Sequence, residues 1–161
     1  HITLIFCLQV YNQTNLVYNM GKGVRKMYLS EKDKNIIVRF LKEEFNPKFI
    51  YLFGSFAKGE GRNDSDIDLA IYTDDIIDPY KLMIAAGNLS FEVKRDTQIV
   101  HLKDINTVFA AQIVGTKEVL YCADEYLMAN YDIRAFKDYA KLNEERRVVL
   151  NAIERDGRVY G

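Results

Sequence analysis

The chain has 161 residues, 48% of them hydrophobic and 28% charged, with a formal net charge of −1. Those values describe one ordinary globular domain with enough chain to bury a core, and they exclude a disordered tail, a collagen-like rod and a strongly basic nucleic-acid binder. Two cysteines are too few for a disulfide scaffold and are read as reduced thiols, and no 18-residue apolar run is present to span a membrane.

The balanced total hides an asymmetry. Residues 1–30 carry no acid, only Lys22, Arg25 and Lys26. Between Glu60 and Asp78 there are seven acids and one base, Arg62. Carboxylates packed this closely repel unless water or a cation offsets them, so this stretch is the candidate site. Residues 1–29 are expected to be an extension outside the domain, with Met20 or Met27 as alternative starts, and 30–161 a single domain. The glycines and bases of GKGVRK, 21–26, read as a connector.

Ser30 followed by Glu31 and Asp33 predicts a helix start, and the spacing of Ile36, Ile37, Phe40, Leu41 and Phe45 carries that helix to Asn46-Pro47. KFIYLF, 48–53, is a buried strand by composition and ends at Gly54-Ser55. DIDLAIY, 66–72, alternates strictly, with Asp66, Asp68 and Ala70 on one face and Ile67, Leu69 and Ile71 on the other. Pro79 opens a helix to about Phe91, and TQIVHL, 97–102, is a third strand. A short helix over about 105–115 and a small strand or turn at 119–121 follow. From Asp124 to Asp156 there is no proline or glycine, and Met128, Tyr131, Ala135, Tyr139, Leu142, Val149 and Ile153 recur at helical spacing in one long helix or two. The fold class is α+β, a small mixed sheet packed by helices with a long C-terminal helical segment. His101 reads as structural, and no Cys/His cluster supports zinc.

Chemistry concentrates in GSFAKGEGRNDSDIDL, 54–69. Glycine permits close backbone approach to a ligand, and backbone N–H groups of the following turn, with the Ser55 hydroxyl, can hold phosphate oxygens. Asp66 and Asp68, at i and i+2 of a strand, point the same way. Two hard carboxylates beside a phosphate cradle suit Mg²⁺, which binds one or two carboxylates together with substrate phosphates.

This Gly-Ser-x10-Asp-x-Asp pattern between two apolar strands resembles the nucleotidyltransferase signature of the DNA polymerase β superfamily. The short chain is similar to the minimal nucleotidyltransferase branch, antitoxin partners of HEPN-domain ribonuclease toxins. The resemblance implies a nucleotidyltransferase fold in which Asp66 and Asp68 are catalytic and bind Mg²⁺. It implies that Gly54 and Ser55 hold the triphosphate of ATP, with Lys58, Arg62 and Ser65 as further nucleotide-binding candidates. It implies transfer of AMP to a hydroxyl, a tyrosine of a HEPN toxin, in a cytoplasmic hetero-oligomer without DNA or membrane. The family places a third aspartate where this chain has Gln98, a neutral amide that is a poorer Mg²⁺ ligand and no general base. Asp96, two residues earlier on the same strand face, is the candidate replacement ligand. Two alternatives therefore stand beside the enzyme: an antitoxin acting by binding alone, and an aminoglycoside-type nucleotidyltransferase.

Overall fold

The computed structural model describes residues 26–156. Its elements are α1 (Glu31–Phe45), β1 (Phe49–Phe53), α2 (Gly54–Ala57), β2 (Ile67–Tyr72), α3 (Pro79–Val93), β3 (Thr97–His101), α4 (Thr107–Thr116), β4 (Glu118–Cys122) and α5 (Glu125–Asp156). The strands form one mixed sheet in the order β3-β2-β1-β4. β1 runs antiparallel to both of its neighbours, and β2 and β3 are parallel.

Local signals set most boundaries. The Ser30 hydroxyl caps α1 by accepting from the Asp33 N–H at 3.1 Å, Asp78 caps α3 with Pro79 in its first turn, and Asn106 caps α4. The 124–156 segment is one helix, about 48 Å long at 1.5 Å per residue. The 119–121 segment is a true edge strand, pairing with β1 across a register shift between Ile50 and Tyr51. Leu29 is buried in the core and Met27 bridges Glu60, so packing begins just ahead of Ser30.

The period-2 pattern sorts the two sheet faces. Ile50, Leu52, Ile67, Leu69, Ile71 and Ile99 meet Ile37 and Leu41 of α1 and Leu82, Ala85 and Leu89 of α3. Phe49, Tyr51 and Ala70 face the other way, onto Ile113 of α4 and Met128 and Tyr131 of α5. The Tyr51 hydroxyl donates to Asp132 at 2.8 Å, Lys117 pairs with the same carboxylate, and Tyr131 donates to the Leu102 carbonyl at 3.0 Å. Burial, with the Asp132 charge adding, pushes Tyr131 up to about 12, so it stays a donor throughout the ordinary pH range. His101 is buried and bonded on both ring nitrogens, to Thr73 and Asp104, which is the structural role its sequence context suggested.

Two long helices, α1 before β1 and α3 before β3, end on a left-handed residue, Asn46 at φ 45° and Lys94 at φ 53°. Asparagine tolerates that conformation, whereas a lysine Cβ crowds the following carbonyl. Lys94→Gly is expected to raise the urea midpoint by a shift worth about 0.5–1 kcal/mol, the strain relief exceeding the added unfolded-state entropy. A lowered midpoint would show that Lys94 sits there without strain.

Candidate active site

The site forms where β1 ends beside the start of β2. Antiparallel pairing sets Phe53 opposite Asp68, so the turn after β1 lies directly over that carboxylate. Gly54 turns the chain at φ +72°, and a Cβ placed there collides with Oδ2 of Asp68 and lies 3.1 Å from its Cγ. Position 54 therefore needs glycine for two reasons, the backbone angle and the space. The Gly54–Ala57 segment, expected as a turn, closes into a short helix. Its anchor is Phe56, fully buried under the loop and touching the space beside Gly61.

Asp66 lies just before β2 and Asp68 within it, both half-buried, whereas Lys58 and Arg62 are exposed. Burial is the larger cause, and the neighbouring Asp66 charge the second, of an Asp68 pKa above the usual carboxylate range. No hydrogen bond contributes to that shift. Two acids held together without a donor make a site suited to a hard cation. The donor set fits Mg²⁺ in the sense expected: two carboxylates, with the remaining positions left to phosphate oxygens and water.

β2 and β3 run in parallel register with Asp68 beside Gln98 and Ile67 beside Thr97. Gln98 thus flanks Asp68 directly. The Asp96 carbonyl accepts from the Ile67 N–H at 2.8 Å, which ties Asp96 just ahead of β3, next to Asp66. No group of three or more acidic, histidine or cysteine side chains capable of holding a metal occurs among the described residues. Ser65 is used locally: its hydroxyl accepts from the Arg62 N–H at 2.8 Å and tightens the loop before Asp66.

Arg95 escaped the sequence reading. Its guanidinium donates to the carbonyls of Arg62, Asn63 and Ser65 at 3.1, 2.7 and 3.1 Å and lies 5.0 Å from the Phe56 ring centroid. One cation thereby gathers the loop that delivers Asp66 and stacks on the side chain that anchors the glycine turn. An arginine 26 residues beyond the motif gives no sequence signal of this role.

Comparison with known proteins follows the same lines. A family model described as Polymerase beta, Nucleotidyltransferase matches residues 35–126, more than half of the chain. The protein adenylyltransferase MntA of Shewanella oneidensis is 28% identical over 129 residues, 78% of this chain and 90% of that protein. A solved toxin–antitoxin structure with AMP-PNP has a chain of the same fold, with TM-score 0.69 and 25% identity over 75% of this chain and 98% of that one. A chain in the tri-AMPylated Shewanella oneidensis HEPN toxin in complex with MNT antitoxin shares the fold at TM-score 0.66 and 23% identity, over 78% of this chain and 99% of that one.

Two outcomes test the site's physics. A carboxyl with a raised folded-state pKa holds its proton more tightly folded than unfolded. Its ionisation therefore opposes folding at neutral pH, and the penalty fades as pH falls below the carboxylate range. In the free protein Asp68→Asn should raise Tm at pH 7, by about 2–4 °C for each ~1 kcal/mol relieved, with the gain vanishing near pH 3. An unchanged or lower Tm at pH 7 would contradict the crowded-carboxylate picture. Arg95→Ala should cost about 1.5–3 kcal/mol and speed tryptic cleavage after Arg62, because three carbonyls lose a charged donor; cleavage at the wild-type rate would mean that the loop is held by something else.

Proposed function

This chain belongs to the polymerase β nucleotidyltransferase family, and on that footing we propose that it transfers AMP from ATP to a tyrosine hydroxyl of a partner HEPN ribonuclease toxin, silencing it as an antitoxin. The observation that carries this reading is the glycine turn pressed onto Asp68 with Asp66 beside it. It is supported by the 28% identical relative, named a protein adenylyltransferase.

Gly54 and Ser55 would cradle the triphosphate, their backbone close enough because residue 54 has no side chain. Asp66 and Asp68 would hold Mg²⁺, which when bound neutralises phosphate charge and polarises the reacting phosphoryl group. The acceptor oxygen attacks the α-phosphorus, the bond from that phosphorus to the α,β-bridging oxygen breaks, and pyrophosphate leaves. The acceptor's proton goes to solvent water, because Asp66 and Asp68 are engaged with the cation and the Gln98 amide beside them is not a base. Lys58 and Arg62 are free on the surface to approach phosphate, while the Ser65 hydroxyl serves the loop. A cytoplasmic hetero-oligomer with the toxin is the setting this reaction needs; no described helix is long and apolar enough to cross a membrane.

A second reading has one observation in its favour. With Gln98 beside Asp68, the site has a carboxyl fewer than the family pattern, and an antitoxin that only binds its toxin would tolerate that. Purified protein with Mg²⁺, ATP labelled at the α-phosphate and a HEPN-domain partner protein separates the two. The expected result is label on a tyrosine of the HEPN protein, lost in the Asp66→Asn, Asp68→Asn double variant. Ribonuclease silenced without label, in wild type and double variant alike, would replace catalysis by binding.

A further inference from the structure

We propose that the free edge of β3 and the groove walled beside it by Met83 and Gly87 of α3 dock an extended, basic segment of the acceptor protein and lead its hydroxyl to Asp66 and Asp68; the proposal rests on the adenylyltransferase reading above. A groove of about 690 Å³ runs from Asp66 and Gln98 along β3, with Met83 and Gly87 of α3 in its wall and Asp104 at its far end. The sheet order fixes its direction. The glycine turn that would hold phosphates follows β1, on one side of β2, and β3 lies on the other. A nucleotide on the turn therefore leaves the β3 side for the attacking group.

The two sheet edges differ. β4 meets β1 through an irregular register, a break of the kind that blunts an edge. β3 is in unbroken register with β2 over its five residues and, among the described residues, pairs with no strand on its outer side, an edge of about 16 Å that can accept an extended chain. Beside it α3 turns Met83, 60% exposed, and Gly87 into the groove. A Cβ at Gly87 would meet nothing within 4 Å, so the wall there is open. The groove lining includes Asp66, Asp96 and Asp104 and no lysine or arginine among the described residues. An occupant that offsets those charges is basic.

The test uses the full chain with a HEPN-domain protein as acceptor and compares wild type with Gly87→Arg and with Met83→Lys. Gly87→Arg is chosen because replacing an exposed mid-helix glycine favours the helix while it fills the groove. Expected are a KM for the protein acceptor raised about tenfold or more with kcat retained, unchanged binding of a fluorescent ATP analogue, and a wild-type KM that rises with salt. A benzoylphenylalanine in place of Met83 should crosslink to a net-basic segment of the HEPN protein. Transfer by wild type with the same acceptor KM in both variants would overturn the docking site and leave the adenylyltransferase reading standing. No transfer by wild type, with the basic segment still crosslinked, would overturn that reading and leave the docking site. A crosslink to a second copy of this chain, or to an acidic segment, would overturn the proposal directly.

Discussion

The site depends on one contact, between the backbone of Gly54 and the carboxylate of Asp68. Antiparallel pairing of β1 and β2 sets Phe53 opposite Asp68, and the chain leaves β1 at φ +72° directly over the acid. Any side chain at 54 would occupy the space of an Asp68 oxygen. The same closeness leaves that carboxylate half-buried, beside a second negative charge and with no donor to offset it. A folded protein retains such an arrangement at a cost in stability, and the cost is removed when cations and phosphates enter.

Much of the surrounding structure serves to hold that contact. Arg95 ties three carbonyls of the loop that delivers Asp66 and lies against Phe56, whose burial fixes the short helix after Gly54. On the opposite sheet face, Tyr51, Asp132 and Lys117 lock β1 to α5 through a part-buried ion pair and a hydroxyl. β3 closes the other flank in strict register and presents Gln98 where a third carboxylate would complete the set.

Alternation and caps made most of the fold legible. Ile67, Leu69 and Ile71 against Ala70 showed which way Asp68 points, and Ser30 and Pro79 marked helix starts that the structure keeps. Gly54, Ser55, Asp66 and Asp68 were legible because the spacing is a distinctive motif. The short helix at 54–57 was not, since its stability comes from burial of Phe56, a tertiary effect that four residues of sequence do not display. Arg95 was hidden for a related reason: its partners are backbone carbonyls, which leave no residue signature. Asp96 is offered by strand alternation, and its carbonyl bond to Ile67 places it just ahead of β3, beside Asp66.

The central claim is that Asp66 and Asp68 form a strained acidic pair that a metal–nucleotide complex relieves. Carboxyl-carbon NMR of Asp68, titrated with and without Mg²⁺ and a non-hydrolysable ATP analogue, measures this directly. The account predicts a midpoint above that of an ordinary aspartate in the free protein and a large fall when both ligands are present. A midpoint that is ordinary at the outset, or that both ligands together leave unmoved, would contradict it.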